Sequence, residues 1–88
     1  MKLKDGVIIT SANGEYVAVA AGDAGRDFNG MIRMNKTAAF IMENMREETD
    51  EDRLVEALCG KYDVDAETAR KNVKIIVDRL RSAGLIGE

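Results

Sequence analysis

The chain has 88 residues and a formal net charge of −3, and 45% of its residues are hydrophobic but only 5% aromatic. This length suits one small domain with a modest core, so we expect a single domain over residues 1–88. The sequence has no histidine, which removes the commonest general base and the commonest transition-metal ligand. It also has no glycine-rich phosphate loop. We therefore expect no enzymatic activity, no cofactor and no bound metal.

The features that report on location indicate the cytoplasm. The single cysteine, Cys59, has no second cysteine with which to form an internal disulfide. No apolar run approaches the ~20 residues that span a bilayer, and no long apolar stretch follows the charged N-terminal residues. We expect a cytoplasmic protein with no secretory signal and no membrane partner.

Two β-strands joined by a tight turn are predicted near the start of the chain. Residues 7–10 are β-branched, and residues 15–20 alternate between the two faces of a strand. Asn13 and Gly14 lie between these runs and are the strongest short signal for a two-residue hairpin, because both tolerate a positive φ angle. Residues 22–28 are polar and predict a loop.

A third strand is predicted over residues 30–34, directly before the pattern changes. Side chains alternate along a strand, so Ile32 and Met34 share the inner face, while Met31 and Arg33 share the other face. Ile32 and Met34 are expected to be core residues whose backbone remains available for pairing. For Met31 and Arg33 two interpretations stay open, namely ordinary surface residues of an edge or contacts for a ligand.

From residue 35 onwards the apolar spacing becomes helical and predicts three helices. Their predicted N-cap residues are Asn35, Thr49 and Asp65, and Gly84 followed by Leu85 predicts a Schellman motif at the end of the third helix. The three predicted apolar stripes are Ala38, Ile41, Met42 and Met45, then Leu54, Val55, Leu58, Cys59 and Tyr62, then Ala69, Val73, Ile76, Val77 and Leu80. Strands followed by helices predict an α+β domain, with the helices packed on one face of a three-stranded antiparallel sheet.

The passage from third strand to first helix also carries a family resemblance. Residues 28–41 resemble the strand-into-helix signature of PqqD-like proteins, a family that includes the recognition elements of ribosomally made, modified peptides. Further similarity lies in the acidic start of the second helix before residues 54–58, in residues 62–64 and in residues 73–86. Met42 stands where the family often has tryptophan, which alters core packing more than binding. The resemblance covers nearly the whole chain.

The resemblance implies a winged-helix-like fold and the function of a peptide chaperone, as in PQQ biosynthesis. Such an adaptor is not catalytic; it binds the leader of a precursor peptide and presents it to a separate modifying enzyme, often a radical-SAM maturase. The leader is expected to dock as an added strand on the third strand, beside the third helix. An edge strand is compatible with this, because its unpaired backbone groups can be completed by an extended peptide. The expected peptide-binding residues are Met31, Ile32, Arg33, Met34, Asn72, Ile75 and Arg79.

The helical residues of this set share one flank of the third helix. Successive residues advance by ~100°, so Asn72, Ile75 and Arg79 lie on one side of the core stripe. Ile75 is the most informative, because it is apolar and yet lies off that stripe. It is a contact for the bound peptide, a contact for a loop or terminus, or an idle surface residue.

A winged-helix DNA-binding protein is the alternative function. The third helix contains Arg70, Lys71, Asn72 and Lys74, as a recognition helix would. The net acidic charge argues against it, because phosphate neutralisation requires a strongly basic face, so we expect no nucleic-acid partner. A subunit that only stabilises a partner enzyme stays open, because it shares the sequence features of an adaptor. Pairing of the exposed edge with a second copy, giving a homodimer, also stays open.

Overall fold

The computed structural model describes residues 1–21 and 31–87. Its elements in chain order are β1 (Lys2–Leu3), β2 (Val7–Ala12), β3 (Glu15–Ala20), β4 (Met31–Met34), α1 (Lys36–Glu43), α2 (Glu51–Lys61), α3 (Ala66–Ser82) and β5 (Ile86–Gly87). The predicted α+β fold is confirmed: β2, β3 and β4 form an antiparallel sheet, and three helices follow it. The predicted third strand is β4. Its expected first residue, Gly30, and the predicted loop at 22–28 lie outside the described residues.

The predicted hairpin is confirmed. Asn13 and Gly14 connect β2 to β3 with φ angles of 54° and 80°, as a two-residue type I′ turn requires. Ala12 lies opposite Glu15 across this turn, and the register continues to the far end of both strands. β3 also pairs with β4, so β3 is the central strand and β2 and β4 are the outer ones.

A second, two-stranded sheet joins the two ends of the described chain. β1 pairs antiparallel with β5, with Leu3 opposite Ile86, and both side chains are buried. The backbone N–H of Leu3 also donates to the carbonyl of Met45 at 2.8 Å. This sheet could not be predicted from the sequence, because strands of two residues have no periodicity and their partners are far apart in the chain.

Two of the three predicted helix caps are confirmed. The side chain of Asn35 accepts a hydrogen bond from the backbone N–H of Ala38 at 2.8 Å, and α1 begins at the next residue. The side chain of Asp65 accepts from the backbone N–H of Thr68 at 2.7 Å at the start of α3. This hydrogen bond is the main reason why the pKa of Asp65 lies below its ordinary value.

The predicted cap of the second helix was wrong by one residue. Asp50, not Thr49, is the N-cap of α2, and its carboxylate accepts from the backbone N–H of Arg53 at 2.8 Å. The backbone N–H of Thr49 instead donates to the carbonyl of Met1 at 3.0 Å. Threonine and aspartate are both good caps, and the aspartate adds negative charge beside the positive end of the helix dipole.

The end of α3 is the predicted Schellman motif. Gly84 has a φ angle of 74°, and its N–H donates to the carbonyl of Arg81 at 3.0 Å. The N–H of Leu85 donates to the carbonyl of Leu80 at 3.0 Å, and both leucine side chains are buried. This turn directs the chain back towards β1.

The core lies between the inner face of the sheet and the three helices. Its largest fully buried members include Ile41, Met42, Met45, Leu54, Leu58, Val73, Val77, Leu80 and Leu85. Cys59, Tyr62 and Ile76 of the predicted stripes are only partly buried. None of the helices in residues 1–21 and 31–87 is long and apolar enough to cross a membrane.

Candidate functional site

The hydrogen-bonding register of the sheet determines which backbone groups of β3 face β4. Beyond the end of β2 and β3, the N–H of Ala21 donates to the carbonyl of Gly6 at 2.8 Å. Bonded and non-bonded pairs alternate along an antiparallel ladder. Counting back from this bonded pair, Ala18 and Tyr16 are not bonded to β2, so their backbone groups point towards β4.

β4 therefore directs the backbone groups of two residues away from the sheet. Ile32 and Met34 lie opposite the two β3 residues that face β4, so these pairs exchange hydrogen bonds. The N–H and carbonyl groups of Met31 and Arg33 consequently point to the outer side of β4. Within the part of the chain that the structure describes, no strand pairs with this side. The sequence alone does not show which alternate residues of β4 direct their backbone groups outwards; we call this choice the parity of β4.

An arginine side chain reaches an outward-facing carbonyl on each edge of the sheet. Nη2 of Arg79, on α3, donates to the carbonyl of Arg33 on β4 at 3.3 Å. Nη1 of Arg46 donates to the carbonyl of Val7 on β2 at 2.6 Å. Both carbonyls are ones that the register directs outwards, so the two side-chain contacts agree independently with the derived parity.

The two arginine contacts differ in strength. The Arg46 contact is short and partly buried, and Glu43 lies 3.4 Å from Nη2 of the same guanidinium. The Arg79 contact is exposed and lies beyond the usual 2.7–3.2 Å range for N–H···O bonds. The outward-facing carbonyl of Arg33 on β4 is thus bound more weakly by its arginine than that of Val7 on β2.

A groove lies between the end of β4, the first turn of α1 and one flank of α3. It has a volume of about 260 Å³. Its lining residues are Met34, Asn35, Thr37, Ala38, Asn72, Ile75, Ile76 and Arg79. Of these eight described residues four are apolar and four are polar, and Arg79 is the one that carries a charge. We call this feature the β4–α3 groove.

The structure brings together most of the residues expected from the sequence. Ile75 is 63% exposed in the β4–α3 groove, which confirms that it lies off the core stripe. Asn72 lines the same groove from one turn earlier. Met31 is 60% exposed on the outer face of β4, and Arg33 is exposed beside it. Ile32 is only 8% exposed and its backbone faces β3, so it supports the strand and offers no surface.

Four lining residues of the groove were not in the expected set. Asn35, Thr37 and Ala38 come from the first turn of α1, and Ile76 lies next to Ile75. The sequence identified Asn35 as a cap and Ala38 as core, and both roles are confirmed. Their second role depends on how closely α1 approaches α3, which no local pattern reports.

The positive charges of α3 do not form a continuous basic face. Arg70 lies 2.9 Å from the carboxylate of Asp52, and Lys71 lies 3.9 Å from that of Glu67. Both pairs are exposed and contribute little stability, but each places negative charge beside a cation that would meet phosphate. This arrangement argues against the DNA-binding alternative.

Fold and site together define a class of protein: a small winged-helix-like α+β domain whose outer strand and last helix frame a groove. The family model for coenzyme PQQ synthesis protein D (PqqD) matches residues 7–86, and the chain belongs to this family. The resemblance inferred from the sequence is therefore confirmed. No curated protein matches the chain in sequence.

Two solved structures share this fold. One is TbiB1 in complex with the TbiA(beta) leader peptide, with a TM-score of 0.73 and 20% sequence identity over 97% of this chain and 93% of that chain. The other is lasso peptide synthetase B1 complexed with the leader peptide, with a TM-score of 0.69 and 19% identity over 96% of this chain and 93% of that chain. At these identities the likeness concerns the fold.

Proposed function

We propose that this domain is a non-catalytic adaptor that binds the leader of a ribosomally made precursor peptide and presents it to a separate modifying enzyme, such as a radical-SAM maturase. The observation that carries the proposal is the outer side of β4, where the backbone groups of Met31 and Arg33 point away from the sheet beside the β4–α3 groove. Membership of the PqqD family supports it, as do two similar folds that were both solved with a leader peptide.

In this proposal the peptide adds a strand to β4. Its backbone exchanges hydrogen bonds with Met31 and Arg33, each worth about 0.5–1.5 kcal/mol net. Alternate side chains of the added strand then point to opposite faces of the sheet. Those on the inner face enter the groove beside Ile75 and Asn72, and those on the outer face meet the side chains of Met31 and Arg33.

The side chains have distinct roles in this arrangement. Met31 is an unbranched apolar residue that adapts to different partner shapes. Arg33 offers a forked donor for a carboxylate of the peptide. Asn72 supplies a donor and an acceptor in a wall to which Asn35 and Thr37 add further polar groups, and Ile75 supplies apolar area that the peptide covers.

We also propose that the domain works in the cytoplasm. Cys59 is a free cysteine, half-buried on α2, and the chain has no second cysteine for an internal disulfide. A fold that uses no internal disulfide is compatible with a reducing compartment, where disulfides are rare.

The test uses a short probe peptide, selected from a random display library for binding to this protein, in calorimetry and in amide hydrogen exchange. Binding should slow exchange of the Met31 and Arg33 amides, because they would enter a new ladder. Exchange of the Ile32 amide should change less, because it already bonds to β3. A peptide that binds without protecting the Met31 and Arg33 amides would remove β4 from the site.

A second titration separates the adaptor from the two other functions. Random duplex DNA at low salt should give no steep, salt-dependent binding. A partner-stabilising subunit would bind its enzyme but no peptide, so a library that yields no binding peptide would favour that function instead.

A further inference from the structure

Arg79 occupies a backbone group that an added strand needs. Its guanidinium donates to the carbonyl of Arg33, one of the four outward-facing backbone groups of β4. A peptide strand on this edge would bring its own N–H to that carbonyl. A carbonyl oxygen has two lone pairs, but this guanidinium lies on the outer side of β4, where the backbone of an added strand would run. Docking therefore has to displace Arg79 or weaken the peptide's own hydrogen bond to this carbonyl.

The contact of Arg79 is suited to displacement. At 3.3 Å and in an exposed position it is a weak bond, whereas Arg46 holds the opposite edge at 2.6 Å with Glu43 beside it. Natural sheets protect their outer strands from pairing with other chains, often with charged side chains. Here the arginine that protects β2 is bound strongly, and the arginine that protects β4 is bound weakly.

The surroundings of Arg79 indicate which kind of group its guanidinium would pair with after displacement. Arg79 also lines the β4–α3 groove, to whose wall the described part of the chain contributes no carboxylate. Among residues 1–21 and 31–87, neither Arg79 nor Arg33 lies within ion-pair distance of a carboxylate. Much of α3 differs, because Arg70 and Lys71 both have acidic neighbours. A guanidinium left in this groove under a bound peptide needs an acceptor that the peptide itself supplies.

We infer that Arg79 is a displaceable cap that also determines specificity: it bonds to the Arg33 carbonyl when the edge is free, and pairs with a carboxylate of the peptide when the edge is occupied. The ligand class is an extended peptide with an Asp or Glu on the groove side, close to the residue that pairs with Arg33. This inference rests on the proposed function, because it requires strand addition at β4.

The experiment compares peptides selected against the wild-type protein with peptides selected against Arg79→Met. Wild-type selections should be enriched in an acidic residue at a groove-side position of the peptide, and Arg79→Met selections should lose this enrichment while keeping any acidic residue that faces Arg33. Changing that acidic residue to its amide should weaken binding to the wild type by about five- to tenfold. This loss lies between the strength of an exposed ion pair and that of a charge-assisted hydrogen bond in a covered site. The same peptide change should have no further effect on Arg79→Met.

Lys74→Met is the matched control, because it removes the same charge from another flank of α3 and should keep both the enrichment and the sensitivity to the amide. Without peptide, the carbonyl carbon resonance of Arg33 should shift in Arg79→Met and remain unchanged in Lys74→Met. Equal sensitivity to the amide in wild type and Arg79→Met, or an unmoved Arg33 carbonyl, would overturn the inference. The proposed function would survive either result as long as peptides still protect the Met31 and Arg33 amides, so the two failures are distinguishable.

Discussion

Replacing Ile75 by serine tests whether the exposed flank of α3 contacts a bound peptide. Burying an isoleucine side chain completely contributes about 1.5–3 kcal/mol. Because 63% of Ile75 is exposed in the free protein, a peptide that covers this exposed part gains about 1–2 kcal/mol from it. The loss should therefore weaken peptide binding by about five- to thirtyfold.

Serine is a better replacement here than aspartate. An aspartate at position 75 would lie one helical turn before Arg79 and could form an i,i+4 ion pair with it. That pair would disturb the Arg33 contact together with the apolar surface. Serine removes the apolar area alone, and the buried third of Ile75 limits the fall in the free energy of unfolding to about 1 kcal/mol.

The assay combines thermal unfolding with calorimetry of the selected probe peptide. Ile8→Ser is the matched control, because Ile8 is 49% exposed on β2, away from the β4–α3 groove. Ile75→Ser should lower the melting temperature by no more than about 4–8 °C and lose affinity. Ile8→Ser should lower the melting temperature by at least as much, because a larger fraction of its side chain is buried, and keep its affinity. An affinity within twofold of wild type in a folded Ile75→Ser protein would refute the assignment of Ile75 to the groove.

Three further predictions concern the edge, a helix cap and metal content. Met31→Pro removes an outward N–H and should abolish peptide binding in a folded protein. Ile32→Pro removes a hydrogen bond to β3 and should lower the melting temperature. The reverse pattern would contradict the derived parity of β4. Since the pKa of Asp65 is lowered by folding, wild type should be more stable than Asp65→Asn above pH 3.8, and this advantage should vanish as pH falls through the lowered pKa. A pH-independent difference in unfolding free energy would speak against this. Protein purified without an affinity tag should retain no stoichiometric iron or zinc after dialysis against chelator, as elemental analysis would show.

The elements predicted well from the sequence are those determined by neighbouring residues. Asn13 and Gly14 specify their turn, because both adopt positive φ angles at little cost. Asp65 and Gly84 mark the two ends of α3 through hydrogen bonds to residues within a few positions. The exposed position of Ile75 also follows from the helical period alone.

The features that the sequence did not reveal depend on contacts between distant segments. The pairing of β1 with β5 and the approach of α1 to α3 are of this kind. So are the contacts of Arg46 with Val7 and of Arg79 with Arg33, which have no local signature. Parity along β4 needed the sheet register, because alternation in sequence identifies the two faces of a strand but not its two sides.

Strand addition at so short an edge cannot by itself explain tight or selective binding. Met31 and Arg33 offer four backbone groups, which contribute about 2–6 kcal/mol at 0.5–1.5 kcal/mol each, and one of these bonds only replaces the Arg79 contact. Ordering four peptide residues costs about 4–8 kcal/mol, unless the peptide is already extended. Backbone pairing alone is therefore balanced at best. The affinity, and with it the choice among peptides, has to come from side chains that fill the β4–α3 groove and from a carboxylate that meets Arg79.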